Sequence, residues 1–303
     1  MPIIVNGTTL TDLKVGNTDI TKVYARNGET GTYVIVFEKG GVVTVALWFG
    51  GNWKMNKIKS EIDDFFNTFN SALELNPMKK VVIFPPACYL DYVKSKISAS
   101  GLSDMISLGI QNISSEPTGA YTGQISAKQA ADCGCSWAMV GGFEVRGYLG
   151  VTDTDVNQAT QLAFSNGLKV FLCVGEDLDI REAGAYANYV QNQLQSCLSG
   201  VSASELENGK LVVVYEPIWA IGTGKTITNE QVREMLDDII RPKLIELYSM
   251  EFAEKTPVLM GGTANQRNIQ GFISEGTANG GLISGASLQA DRFASIINTT
   301  TTQ

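Results

Sequence analysis

The 303-residue chain carries 23 Lys and Arg against 31 Asp and Glu, a net charge of −8, and contains no histidine. That balance, with no Lys/Arg cluster, excludes a nucleic-acid footprint and an electrostatic grip on an anionic membrane surface. A hydrophobic fraction of 44% with 18% charged residues suits a large α/β domain with a small appendage and argues against disorder.

The N-terminus MPIIVNGTTL has neither a basic n-region nor an apolar h-region, so no signal peptide is expected. No apolar run reaches about 18 residues, so no transmembrane helix is expected either, and synthesis in a cytosol is the reading. Five cysteines (Cys88, Cys133, Cys135, Cys173 and Cys197) show no zinc-ribbon or redox spacing, and no histidine can complete a metal site. The thiols read as free or buried in a reducing compartment, with no metal and no other cofactor.

Residues 2–38 hold short β-prone runs punctuated by Asn6-Gly7, Gly16-Asn17 and Asn27-Gly28. Thr8, Leu10, Thr11 and Leu13 recur ten residues later as Thr18, Ile20, Thr21 and Val23. Tyr33, Ile35 and Phe37 alternate with Val34, Val36 and Glu38 in a further strand pattern. A module of this size buries little core alone, so residues 1–41 are expected to form a small all-β unit that packs on another surface.

From residue 42 to 303 the pattern alternates strand and helix. Strand-like runs fall at Val45–Gly50, Val81–Phe84, Ile106–Ile110, Trp137–Val140, Lys169–Val174, Leu211–Tyr215, Val258–Met260 and Leu282–Ile283. Ile58–Leu73 and Asn229–Leu247 are the clearest amphipathic helices, the second preceded by capping residues from Thr226 to Glu230. Eight β-then-α units in about 250 residues match a parallel (β/α)₈ barrel, but a doubly wound open sheet has the same local pattern.

Longer motifs carry more. Gly50-Gly51-Asn52-Trp53-Lys54-Met55-Asn56, Gln111-Asn112-Ile113-Ser114, Gly119-Ala120-Tyr121-Thr122-Gly123, Cys173-Val174-Gly175-Glu176 and the run Tyr215 to Lys225 occur in order, followed by Gly261-Gly262 and Gly285-Ala286-Ser287-Leu288. Together they resemble the triosephosphate isomerase family across about 250 residues, the length of one such barrel. The resemblance implies a (β/α)₈ barrel with its working residues at the C-terminal strand ends. It makes Glu216 the base, with Asn52 and Lys54 beside it and Lys54 stabilising an enediolate oxygen. It makes Pro217, Ile218, Trp219, Ala220, Ile221, Gly222, Thr223, Gly224, Lys225 and Thr226 a mobile lid, and this family is itself a general illustration of such a base and lid. Gly222, Thr263, Ser284 and Gly285 are the implied phosphate-binding positions, through backbone amides that approach an anion closely.

The same comparison exposes departures. Gly141-Gly142-Phe143-Glu144-Val145-Arg146 puts Gly142 where the family has an electrophilic histidine, and loss of such a partner costs on the order of 10²–10⁴ in rate. Phe143 replaces a serine, Met260 a lid-latching tyrosine that a thioether cannot imitate, and Ser284 a glycine. Gln124 and Val145 replace a charged pair near the family's dimer contact, both charges vanishing together. Tyr121 and Thr122 keep the loop tip that the family inserts into a partner subunit, so a homo-oligomer is expected.

These changes point to a barrel retained as a stable shape, a pseudoenzyme for binding or display that holds a small phosphorylated ligand. The N-terminal module weakly resembles β segments of bacteriophage virion and tail proteins, which implies assembly partners through residues 1–41 and incorporation in a phage particle. The alternative is a slow triosephosphate isomerase using Glu216 as base.

Overall fold

The computed structural model describes residues 46–74, 76–206 and 209–301, and the strand backbones between residues 3 and 38. Two compact units result, Met1–Thr44 and Val45–Gln303.

In the first unit, β1 (Ile3–Val5) pairs antiparallel with β2 (Thr8–Leu10), β3 (Leu13–Val15) with β4 (Thr18–Ile20), and β5 (Lys22–Arg26) with β6 (Tyr33–Glu38). The register Ile3↔Leu10 returns as Leu13↔Ile20, so the ten-residue sequence echo is carried by two equivalent strand pairs. The turn pairs Asn6-Gly7, Gly16-Asn17 and Asn27-Gly28 lie outside the described residues, as do the side chains of residues 1–45.

In the second unit, β7 (Leu47–Asn52), β8 (Lys79–Phe84), β9 (Ile106–Ile110), β10 (Trp137–Val140), β11 (Lys169–Val174), β12 (Leu211–Tyr215), β13 (Val258–Met260) and β14 (Gly280–Ile283) form a closed parallel barrel. Closure runs through β14 to β7, with Gly280↔Trp48 and Ile283↔Gly51 in register. An open sheet is thereby excluded. Helices follow the strands on the outside, as right-handed β-to-β crossovers require.

Period-two alternation sorts each strand into inward and outward residues. Val82, Phe84, Trp137, Met139, Phe171, Cys173, Val212, Val214, Leu259 and Leu282 fill the interior with Trp48. Phe171 is the hub: its ring lies 5.1 Å from Phe84, 5.1 Å from Trp137 and 6.3 Å from Trp48, each edge to face. Outward residues such as Val81, Ile83, Val170, Leu172 and Val213 meet the helices. The first helix, Lys59–Ala72, packs on the last, Ala290–Thr299, with Phe69 stacked on Phe293 at 5.5 Å. Buried Lys79 donates to the Ile297 and Asn298 carbonyls at 2.5 and 2.8 Å, meeting unpaired groups at the end of that last helix.

The expected single helix over Asn229–Leu247 is resolved into α-helix at Asn229–Arg233, a wide π turn at Glu234–Ile240 and α-helix at Arg241–Leu247. Pro242 explains the difference. It has no N–H for the carbonyl four residues back, and its ring would strike that carbonyl. Widening the preceding turn moves the carbonyl aside without ending the helix. Thr228 caps the start as expected, accepting from the Gln231 N–H at 3.2 Å.

Phe171→Ala should lower stability by about 3–5 kcal/mol, since it empties the centre of the barrel. Phe171→Leu should cost much less. Urea unfolding followed by tryptophan fluorescence measures both.

Candidate active site at the barrel mouth

The alternation that fills the interior also decides what reaches the mouth. Along β7 the inward series is Trp48, Gly50, Asn52; along β12 it is Val212, Val214, Glu216; along β14 it is Leu282, then Ser284. Asn52, Glu216 and Ser284 therefore face the C-terminal opening because they continue inward registers.

Glu216 is buried. Its N–H donates to the Val174 carbonyl at 2.8 Å, continuing the β11–β12 ladder by one residue. Space for it comes from glycine on both neighbouring strands. A methyl group on Gly175 would lie 1.8 Å from the Glu216 carbonyl oxygen, and one on Gly261 would lie 2.9 Å from its Cγ. The carboxylate accepts one hydrogen bond here, from the Phe143 backbone N–H at 3.0 Å. Burial pushes its pKa up from 4.5 to about 7, and the nearby negative Glu144 adds to the rise. The Phe143 N–H, Lys54 and Arg146 oppose the rise without cancelling it.

Lys54 follows Asn52 in the loop after β7 and sits at φ 50°, a left-handed conformation uncommon outside glycine. Two hydrogen bonds hold it there. Its N–H donates to Asn52 Oδ1 at 2.9 Å, and its carbonyl accepts from Gln111 Nε2 at 2.9 Å. The same Gln111 amide reaches the Phe84 carbonyl, tying three strand ends together. Trp53, fully buried between, donates to the Ser287 carbonyl at 3.1 Å and links this loop to the one after β14. Backbone strain of this kind survives only where the surroundings over-determine it, as at many functional sites.

The Lys54 ammonium is ion-paired with Glu144 and lies 5.0 Å from the centre of the Phe143 ring. Gly142, Phe143 and Glu144 start the short helix Phe143–Leu149, with Gly142 at its N-cap. Arg146 holds that turn from within, donating to the Gly141 carbonyl at 2.7 Å and to Asp153 at 2.5 Å.

The expected lid begins with Pro217 and a 3₁₀ turn at Ile218–Ala220. Its root is fixed: the Trp219 indole and the Tyr215 hydroxyl both donate to Glu176 Oε1 at 2.9 Å. Glu176 is wholly buried, its Oε2 has no hydrogen-bond partner, and burial raises its pKa. Arg181 joins the cluster, 3.6 Å from Glu176 Oε1 and 3.1 Å from Glu234, with its guanidinium over the Tyr186 ring. Beyond the root, Gly222 through Thr226 are exposed. Ile221 rests against Gly262, where a methyl group would lie 2.7 Å from Ile221 Cγ1.

Of the other expected residues, Thr263 has a buried hydroxyl without a hydrogen-bond partner, and its carbonyl accepts from the Asn265 and Asn268 amides. Ser284 caps the 3₁₀ turn Gly285–Leu288, and Gly285 is exposed. Contacts thus unite Asn52, Lys54, Gly142 and Glu216 through Phe143, Glu144 and Met139, the last accepting from the Asn52 amide at 3.9 Å. Gly222, Thr263, Ser284 and Gly285 lie on three separate loops of the same mouth. Glu144 and the Phe143 amide were not singled out by sequence reasoning. Glu144 carried a signal, a carboxylate two residues past Gly142 at a strand end; a backbone N–H carries none. Among the described residues no group of three or more His, Cys, Asp or Glu side chains could hold a metal, and no helix is long and apolar enough to cross a membrane.

A closed parallel barrel with a desolvated carboxylate and a paired lysine at its C-terminal strand ends defines a (β/α)₈ protein whose candidate site lies at the barrel mouth. The triosephosphate isomerase family profile matches residues 47–300. The triosephosphate isomerase of Lactiplantibacillus plantarum is 38% identical over 248 residues, 82% of this chain and 96% of that protein. That of Neurospora crassa is 40% identical over 253 residues, 83% and 97%; that of Acetivibrio thermocellus is 39% identical over 246 residues, 81% and 95%. The chain belongs to the triosephosphate isomerase family.

The raised Glu216 pKa has a thermodynamic consequence. The folded state binds the proton more tightly than the unfolded chain, so the added stability is complete below about pH 4.5 and is lost as pH rises through about 7. The loss is on the order of 3 kcal/mol. Unfolding free energies across pH 4–8 should show this decline in the wild type and a flatter profile in Glu216→Gln.

Proposed function

We propose that the chain interconverts dihydroxyacetone phosphate and glyceraldehyde 3-phosphate slowly, with Glu216 as the base. The observation that carries this reading is Glu216 itself, buried at the end of β12, ionising near 7 and close to Lys54. A base of that pKa is half ionised at neutral pH and well matched to removing a proton beside a carbonyl. Lys54 offers the positive charge for the oxygen that becomes negative. Ligand arrival would transfer part of the Lys54 interaction from Glu144 to substrate. The Gly222, Ser284 and Gly285 amides and the Thr263 hydroxyl would take the phosphate while Pro217–Thr226 closes as a lid. The relatives that carry the enzyme's name over most of this chain support the same reading.

Magnitudes favour slow catalysis over none. Without an electrophile the rate falls by on the order of 10²–10⁴, whereas enzymes accelerate reactions by roughly 10⁶-fold or more. A remnant stays measurable. The second reading, a catalytically silent barrel for binding or display, is favoured by one observation: the chain has no histidine, and position 142 beside the Phe143 amide is a glycine with no side-chain donor.

Two assembly proposals accompany this. The antiparallel strand pairs between residues 3 and 38 meet an assembly surface, a virion component being the candidate. The barrel pairs as a homodimer through apolar side chains left exposed at one side of the mouth: Tyr121, Tyr148 and Leu149. Leu149 and Gln124 border one cavity of about 400 Å³ there. Light scattering should report a dimer for the full chain and a monomer for the Tyr148→Asp/Leu149→Asp double variant.

Glu216→Gln should reduce kcat for glyceraldehyde 3-phosphate at least 100-fold with little change in ligand affinity, whereas Gly142→His should raise it about 10- to 100-fold. Turnover indifferent to Glu216 would remove the isomerase reading in favour of the silent barrel.

A further inference from the structure

The loops after β7 and β14 leave neighbouring strands at the seam where the barrel closes, with Ile283 and Gly51 in register. Lys57 joins them above that seam. Its ammonium donates to the Leu288 carbonyl at 2.9 Å and lies 5.3 Å from the centre of the Trp53 ring and 5.0 Å from that of Phe65. Its backbone holds φ 76°, a left-handed value that is strained for any residue but glycine. Burial lowers its pKa against the pull of Glu61 and Asp64. Those carboxylates border, with Lys57 and Asp291, a cavity of about 420 Å³, so the side chain has room to turn toward an acid. Among the described residues it makes no ion pair and takes a carbonyl instead.

That carbonyl ends the turn Gly285–Leu288. The last carbonyls of a helical turn have no partners inside it. Here two consecutive ones are met from the β7 loop, Ser287 by the Trp53 indole at 3.1 Å and Leu288 by Lys57. Ser287 in turn holds the front of the turn, its N–H and its hydroxyl donating to the Ser284 carbonyl at 3.0 and 2.7 Å. Ser284 and Gly285 are thereby fixed relative to Lys54, which lies on the clamping loop itself.

We propose that Lys57 is a positioning residue: by clamping the Leu288 carbonyl it sets the span between the Lys54 ammonium and the Ser284 and Gly285 amides, and so the length of anionic ligand that the mouth accepts. This rests on the reading of those groups as the two ends that hold a substrate's carbonyl oxygen and its phosphate. A ligand that bridges both ends gains from a fixed span, because less ordering remains to be done when it binds. A lone phosphate touches one end and is indifferent to the span.

Calorimetry on the full chain at pH 7 and constant ionic strength measures the affinity for two probes, glycerol 3-phosphate and inorganic phosphate. Lys57→Met should weaken glycerol 3-phosphate binding about tenfold and inorganic phosphate binding less than about twofold. Lys57→Arg, which keeps a donor for the carbonyl, should recover most of the loss. Lys57→Gly, whose backbone suits φ 76°, should repeat the Lys57→Met result and serves if Lys57→Met fails to fold. Equal weakening of both probes would assign Lys57 to the general field of the mouth and overturn the proposal. Unchanged binding in the variants, or no binding of glycerol 3-phosphate by the wild type, would also overturn it. Turnover of glyceraldehyde 3-phosphate, assayed in parallel, keeps the two questions apart: Lys57-dependent binding without Glu216-dependent turnover supports the clamp and sinks the isomerase reading.

Discussion

A carboxylate held out of water sets the terms for the upper face of this barrel. Glu216 cannot be hydrated where it sits, yet it has no full ion pair. Two cations lie near enough to matter, and neither is free: Lys54 pairs with Glu144, and Arg146 is committed to Asp153 and the Gly141 carbonyl. One backbone N–H from Phe143 is what remains. Desolvation therefore outweighs attraction, and the group titrates near neutrality instead of near 4.5. Glycines at 175 and 261 admit the residue, and the strand ladder from Val174 fixes its height.

Glu216 and Gly142 are secured by different means. Glu216 depends on main-chain geometry in three strands, which side-chain change hardly disturbs. The position of Gly142 depends on a loop turn that accepts other residues without collision. A change of side chain at 142 can thus leave Glu216, Lys54 and the Trp219 turn in place. The interior aromatic cluster around Phe171 lies lower in the barrel and takes no part in the mouth, so the fold does not register such a change.

Much of this was legible in the sequence because barrel strands are short buried runs and their inward parity extends one residue past the strand end. Ile106–Ile110, Trp137–Val140, Lys169–Val174, Leu211–Tyr215 and Val258–Met260 have the expected bounds. β7 and β14 were displaced because glycines at 50, 51, 280 and 281 carry no apolar signal. Closure was not legible at all, since pairing of β14 with β7 joins the two ends of the barrel and leaves no local trace. The break at Pro242 was in plain view, but the amphipathic stripe across Asn229–Leu247 outweighed it; a π turn lets both coexist. The Glu144–Lys54 pair joins residues far apart in sequence, and neither residue announces the other.

The same wide turn reaches beyond its own helix. A π turn is in effect one extra residue in an α-helix, so it resets the angular phase of everything before it relative to everything after. Here the residue at its front edge is Glu234, and that phase points it at Arg181, which braces Trp219 at the base of the loop. The helix immediately downstream of the loop thus also holds it from the side. The loop is a strap buckled at one end: its exposed stretch from Gly222 to Thr226 stays tied, through Trp219, to the strand that carries Glu216.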